Sequence, residues 1–371
     1  MRGYSISKVK ATRDRFAELE GLTESARHSI HMNSAWLARY TECFQRERSA
    51  FILEARESES GRLAGALPLE VRAIPAAAGW STRRLVPLGS GPADFNLILC
   101  LPGGEAQVAA LVTRWLVKRR QQWESLRMDL VPQSSRGWQE FVYALKGSGL
   151  SPSVSQERYF YKVDTSGNWD DYQKGFLRGH LDDLRNRMNR LARERGETEV
   201  RIIEKGIQDH LEGFLTCYRQ RRKATGQKDH FATEPGRLRF LESVIRDFEQ
   251  KKMARLSLLK SGEDVLAYQL DWVHEGIWYH YMPTYNELYA KYSPGRILLL
   301  ETLRLAFEDP EIREFNFMRG QEAYKAQFAN QKEAFISIRV TNPWSLRGKA
   351  ISLLSRLATL RERGRSLDGN G

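Results

Sequence analysis

Short apolar runs, separated by polar turns, dominate the first third of the chain. Ala50–Arg56 and Leu63–Ala73 alternate around the polar stretch Glu57–Arg62, a pattern that predicts a β-hairpin. Two further apolar runs follow, Leu85–Leu88 and Phe95–Leu101, and the second reads as a buried strand. After Pro102-Gly103-Gly104 the period changes. Val108, Leu111, Val112, Trp115 and Leu116 stand at the spacing of one helix face, and Leu126–Val131 closes the segment as a strand.

The same order returns later. Ala254–Leu259 and Val265–Val273 flank Ser261-Gly262-Glu263, and the aromatic strand Ile277–Met282 comes next. The loop Tyr292-Ser293-Pro294-Gly295 opens a helix carrying Ile297, Leu298, Leu305 and Ala306, and Glu311–Met318 closes as a strand. A local match supports duplication: Ser60-Gly61-Arg62-Leu63-Ala64 resembles Ser261-Gly262-Glu263 with Leu266-Ala267. Between the copies, Asp164–Asn168 is a turn-rich joint. Leu181, Leu184, Met188 and Leu191 then make a helical stripe crowded by Arg185, Arg187, Arg190, Arg193 and Arg195, until Gly196 stops it. Helices are expected at Ile207–Lys223 and Gly236–Lys252, and a basic amphipathic helix at Trp344–Arg363 before the tail Ser366–Gly371.

Composition narrows the class. A chain of 371 residues has room for two or three domains, and 41% apolar with 28% charged residues is globular rather than disordered. Three widely spaced cysteines give neither a disulfide framework nor a zinc knuckle. The first residues lack the apolar core of a secretory signal, and no apolar run approaches the roughly 20 residues that span a bilayer, so a cytoplasmic protein without a membrane span is expected. The net charge of +12 points to a polyanion or a phosphate-rich ligand.

Candidate chemistry lies in the second copy. A helix N-terminus at Ser293–Ile297 offers amides to a phosphate, Gly295 allows close approach, and Arg296 adds a charge. At the end of the closing strand, polar Asn316 stands between Phe315 and Phe317, followed by Arg319, Gly320, Glu322, Tyr324 and Lys325. Glu can act as a base, and Tyr or Lys can donate a proton or hold an oxyanion. His280 alternates with Tyr279 and Tyr281, so one set faces a core and the other a cleft. As a lone histidine it reads as a satisfied polar residue, and no His, Cys and carboxylate spacing suggests a metal. The absence of a Walker loop, of G-x-G-x-x-G and of G-x-S-x-G removes support for nucleotide hydrolysis, Rossmann redox chemistry and α/β-hydrolase chemistry.

The order of these pieces resembles a known family. It runs from the arginine-rich helix through Tyr218-x-x-Arg221-Arg222-Lys223-x-x-Gly226 and the aromatic strand to Tyr292-Ser293-Pro294-Gly295 and Gly320-x-Glu322-x-Tyr324-Lys325. It is similar to the GNAT-type acyltransferases called CelD or BcsL, the cellulose-biosynthesis acetyltransferases related to Fem-type aminoacyl transferases. The likeness spans roughly Ala50 to Ile338. It implies an α/β (α+β) fold of two tandem GNAT-like domains, each a mixed twisted sheet flanked by helices. Residues 1–163 would form the N-terminal domain, 164–343 the C-terminal domain with the acyl-CoA site, and 344–371 a basic helix and tail.

The resemblance also implies an acyl-CoA donor, acetyl-CoA foremost, and no metal. Tyr281, Met282, Tyr292, Ser293, Pro294, Gly295, Arg296 and Ile297 would hold the donor. Arg222, Tyr285, Asn316, Arg319, Gly320 and Lys325 would hold the acceptor, an amine on a small metabolite or sugar. Glu322 is the expected base or base-positioning group, and Tyr324 the proton donor to the leaving thiolate. The family usually has Asp where Asn316 stands and often His where Tyr218 stands. A link to exopolysaccharide or cellulose synthase machinery follows from the same likeness. Two other readings stay open: a Fem-type transferase that takes an aminoacyl group from charged tRNA, its basic helix touching RNA, and a non-catalytic adaptor of a polysaccharide synthase.

Overall fold

A computed structural model of the chain describes residues 3–349, apart from 25, 47–48 and 76–79. The expected basic helix Trp344–Arg363 is described only as far as Lys349, and the tail Ser366–Gly371 lies outside the described residues. The chain divides into two units, residues 1–157 with 335–371, and residues 158–334.

In the first unit, strands β1 (Tyr4–Lys10), β2 (Ala50–Glu57), β3 (Leu63–Pro75), β4 (Ser81–Pro87) and β6 (Ser125–Pro132) lie side by side in that order. The strand β13 (Gln331–Thr341) brings its residues from Phe335 onward to the edge of β6, antiparallel. β4 and β6 are parallel, joined by the crossover helix Glu105–Lys118, as a parallel pair requires. The stripe read from the sequence is the buried face of that helix. Leu111, Trp115 and Leu116 pack on Phe51, Leu53, Leu67 and Leu69. At Gly65 the helix comes so close that a Cβ would stand 2.4 Å from a Val108 methyl, which only glycine allows.

The run Phe95–Leu101 differs from its expectation. Only Leu99–Cys100 forms a strand, β5, which pairs with β3. Phe95 and Leu97 are buried without a regular ladder. Hydrophobicity reports burial, and a segment can be buried by side chains alone.

In the second unit the order is β7 (Ser153–Asp164, from Arg158), β12 (Glu314–Asn316), β11 (Ile277–Tyr285), β10 (Asp264–His274), β9 (Ala254–Ser261) and β8 (Thr198–Ile203). β11 and β12 are parallel and the other pairs antiparallel. The arginine-rich helix Arg178–Arg195 and the helix Pro294–Glu308 bury Leu184, Leu191, Ile297 and Leu303 against one face. The helices Leu211–Ala224 and Arg237–Gln250 cover the other, with Phe214 on Tyr268 and Phe248 edge-on to Trp272. Gly196 ends the arginine-rich helix at φ +85°, as the stop signal predicts. The expected strand Glu311–Met318 shortens to Glu314–Asn316, because the chain turns at Met318 (φ 55°) and Gly320 (φ 116°).

Candidate active site

The site forms where β11 and β12 part. Their parallel pairing covers only Ile277, Trp278 and Tyr279 opposite Glu314, Phe315 and Asn316. From His280 to Tyr285, β11 runs on without β12, while its other edge stays on β10. The register against β10 slips at this point. Leu270 faces Met282 and Trp272 faces Tyr279, so His280 and Tyr281 together stand opposite Asp271. Such a bulge re-aims side chains and backbone groups where a ladder ends. Trp272 and Tyr281 meet at 5.0 Å between ring centroids, on the face away from Asp271.

On the other side, Asp271 and His280 are both buried. Asp271 Oδ2 accepts hydrogen bonds from Gln269 Nε2 at 2.6 Å and from Trp278 Nε1 at 2.7 Å. Its Oδ1 stands 3.5 Å from His280 Nδ1. His280 Nε2 lies 3.5 Å from the Tyr324 hydroxyl. Tyr324 sits on the short helix Ala323–Phe328, beyond the turn that ends β12. Burial, reinforced by the Glu322 charge, pushes the Tyr324 phenol well above its ordinary range.

The turn before Tyr324 is a closed clamp. Lys325 Nζ donates to the Arg319 carbonyl at 2.7 Å and pairs with Glu322 Oε2 at 3.0 Å. A Cβ on Gly320 would stand 2.3 Å from a Glu322 carboxylate oxygen and 2.7 Å from Lys325 Nζ. Partial burial opposes ionisation of Glu322, but the Lys325 charge outweighs it and holds the carboxyl below the usual range. Asn316 is wholly buried and serves this turn: its Oδ1 accepts from the Met318 amide at 2.8 Å, and its Nδ2 donates to Glu314 at 2.7 Å.

At the far end of β11, Tyr285 is held between two neighbours. The Arg221 guanidinium lies 3.7 Å from its ring centroid, and Arg221 also donates to Glu287 at 2.8 Å. A Cβ on Gly295 would stand 3.1 Å from the Tyr285 ring, so glycine there lets the strand end and the helix start lie together. Pro294 and Ile297 are buried in the helix, as is Tyr292, whose hydroxyl donates to Glu194 at 2.5 Å. Ser293 adopts φ 55° and its carbonyl already accepts from the amides of Arg296 and Ile297, which reduces the donors left to a phosphate. Arg296 reaches Gln327 at 3.2 Å and Asp183 at 3.6 Å.

The structure thus gathers Tyr281, Met282, Tyr285, Gly295, Glu322 and Tyr324 around the open edge of β11. It places Asn316 and Lys325 in the turn beside it. Arg222 is directed elsewhere, stacking 5.0 Å from Tyr218 and donating to Gln227, and its neighbour Arg221 is the arginine that meets Tyr285. Asp271 was missed in the sequence. The signal for it was Gln269 and Asp271 on one face of an otherwise apolar strand, an expensive arrangement unless it serves something. Among the described residues no group of His, Cys, Asp and Glu is arranged to hold a metal, and no helix is long and apolar enough to cross a membrane.

Comparison with known proteins agrees with this geometry. Residues 178–326 match the acetyltransferase (GNAT) domain family. FemX is similar over 89% of this chain and 96% of its own, with a TM-score of 0.59 at 10% identity. A conserved protein of unknown function from Bacteroides thetaiotaomicron VPI-5482 covers 92% of this chain and 100% of its own, with a TM-score of 0.56 at 9% identity. The C-terminal domain of a proposed lysylphosphatidylglycerol synthetase from Agrobacterium fabrum covers 92% and 95%, with a TM-score of 0.54 at 11% identity. No curated protein sequence matches the chain. The open strand edge, the bulge and the helix that follows therefore lie within the segment that matches the acetyltransferase (GNAT) domain family, in a fold similar to that of FemX over most of the chain.

Proposed function

We propose that the protein is an N-acyltransferase that moves an acyl group, acetyl in the first instance, from acyl-CoA to an amine of a small metabolite or sugar. The observation that carries this reading is the parting of β11 from β12 after Tyr279, beyond which β11 runs on from His280 to Tyr285 and leads to the helix start at Pro294. An amide-rich pantetheine arm fits such an edge as an added strand would. Gly295, whose α-carbon side faces the Tyr285 ring, and Arg296 would take the phosphates. The thioester then lies near the bulge and Tyr324, and holding amine and thioester together supplies much of the rate.

Tyr324 delivers a proton to the leaving thiolate. Glu322, ionised and half exposed, attracts the acceptor's ammonium group, while Lys325 keeps its turn in place. The resemblance of the motif order to that of the CelD and BcsL group supports a role in exopolysaccharide or cellulose production.

Titration of the purified protein with acetyl-CoA and a longer acyl-CoA tests the reading. Saturable binding below millimolar ligand is expected, and no binding at millimolar ligand overturns it. A Fem-type aminoacyl transfer from charged tRNA is the second reading. It is favoured by the exposed Arg185, Arg190 and Arg193 on the helix Arg178–Arg195, and salt-sensitive tRNA binding without acyl-CoA binding is the result that selects it.

A further inference from the structure

We propose that Asp271, His280 and Tyr324 form a proton relay that takes the acceptor amine's proton and returns it to the leaving thiolate. The inference rests on the acyltransferase reading and answers a question that reading leaves: which group serves as the base. Glu322 is a poor choice, because a carboxyl held low by Lys325 takes up protons weakly. Tyr324 alone is also a poor one, since its buried phenol keeps its proton. Tyr324 needs somewhere to send that proton, and the nearest acceptor is His280 Nε2 at 3.5 Å.

The geometry points from the site inward. Asp271 Oδ1 and His280 Nδ1 are buried, make no other hydrogen bond, and stand 3.5 Å apart. Two such atoms are costly to bury unless they serve each other, and catalytic hydrogen bonds are often long before substrate closes the site. With Nδ1–H directed to the carboxylate, Nε2 is left as an acceptor facing the phenol. Asp271 is itself fixed by Gln269 and Trp278, so its second oxygen has a single direction to serve.

The groups facing the imidazole are few. They are Asp271 from β10, Tyr324 and Glu322 from the helix Ala323–Phe328 and its start, and the uncharged rings of Phe315 and Phe317, each 5.8 Å away between centroids. Arg221, from the helix Leu211–Ala224, adds a positive charge that acts on Tyr324.

The step balances with one proton. The acceptor's ammonium first gives one proton to water. As the neutral amine nitrogen then bonds to the thioester carbonyl carbon, its proton passes to Tyr324 Oη and the phenolic proton passes to His280 Nε2. The imidazolium so formed is stabilised by Asp271. When the C–S bond breaks, sulfur leaves with the electron pair. His280 then returns a proton to Tyr324, and Tyr324 gives its own to the thiolate. Tyr324 is the catalytic residue, while His280 and Asp271 act through it as positioning and relay groups.

Nitrogen NMR of the histidine-labelled full chain tests the relay without needing the acceptor, with His280→Gln identifying the signal. His280 is expected as the Nδ1–H tautomer with Nε2 unprotonated. Its Nε2 shift should move in Tyr324→Phe, and the proton should transfer to Nε2 in Asp271→Asn. A wild-type Nε2–H tautomer, indifferent to Tyr324→Phe, overturns the proposal.

Kinetics give the second arm, with acetyl-CoA as donor and a panel of amino sugars and small amines as acceptors. His280→Gln should lower kcat by about 10²-fold or more at unchanged KM for acetyl-CoA. A kcat within about threefold of wild type overturns the relay and leaves the acyltransferase reading standing. Failure of the wild type to bind acetyl-CoA instead removes the parent reading. If His280→Gln does not fold, Asp271→Asn and Tyr324→Phe carry both arms, and the histidine is identified from its response to them.

Discussion

The two units each contain a parallel strand pair joined by a crossover helix, yet only one pair opens into a site. In the first unit, β4 and β6 pair at Arg84–Leu85 and Ser125–Leu126. The chain between β4 and its helix, residues 88–104, then returns along β6. The Asn96 amide donates to the Leu130 carbonyl at 3.0 Å, and its side chain donates to the Asp129 carbonyl at 2.6 Å. Phe95 and Leu97 fill the space beside it. In the second unit the corresponding connection, residues 286–293, is shorter and turns straight into the helix at Pro294. No further strand among the described residues pairs with the edge of β11 beyond β12.

The registers differ in the same sense. β3 and β4 pair without a slip from Leu69 to Pro75, whereas β10 and β11 carry the bulge at Asp271 and His280. The lesson is that the same strand, helix and strand can be sealed or opened by the length of one loop. The opened copy buries Asp271 and His280 next to the gap.

The largest test of this contrast is removal of one hydroxyl in each unit. Tyr324→Phe should lower kcat by about 10²-fold or more with acetyl-CoA affinity unchanged. Tyr143→Phe, on the helix Arg136–Gly147 that follows β6 and 79% exposed, should leave kcat and melting temperature at wild-type values. Equal effects would erase the distinction between the units.

Next in size is the glycine that opens the helix start. Gly295→Leu should push against Tyr285 and weaken acetyl-CoA by about tenfold or more, which is about 1.4 kcal/mol. Gly104→Ala, at the equivalent helix start in the first unit, should not change it. Equal losses of binding and of melting temperature in Gly295→Leu would make that loop structural only.

A pH scan comes third. The Glu322 carboxyl is held below its unfolded value, so its pairing with Lys325 contributes stability above about pH 4.3 and loses it as pH falls through the lower folded value. Melting curves of wild type and Glu322→Gln should differ at neutral pH and converge as pH falls below the lowered folded value, where the carboxyl is protonated in both states. A difference that grows on acidification would reverse the sign and remove the clamp.

The smallest effect concerns the seal. Asn96→Ala should cost about 1 kcal/mol through the lost bond to the Asp129 carbonyl, with transfer activity unaffected. A gain of acyl-CoA binding in this variant would show that the first unit is closed by that contact alone.

Much of this plan was legible along the chain. The hairpins β2–β3 and β9–β10 and the helices Glu105–Lys118 and Pro294–Glu308 follow from local period and turn chemistry, which neighbours in sequence supply. Gly320, Glu322, Tyr324 and Lys325 were recognisable as a group because they lie within one turn and a short helix. The return of Phe335–Thr341 to β6 was not legible, because no local pattern says which edge a strand will join. Nor was the true state of Phe95–Leu101, whose apolar character reported burial and not hydrogen bonding.

His280 marks the boundary between the two kinds of knowledge. Its place on an aromatic strand, beside a free edge leading to a Ser-Pro-Gly helix start, is written in residues next to one another. Its meaning depends on Asp271 across a bulge and on Tyr324 from beyond β12, brought to 3.5 Å on either side of the ring. Period and propensity act over a few residues, so the chain alone decides its helices, hairpins and turns. Burial, register slips and the meeting of distant side chains are set by the packed whole, and the proton path exists only there.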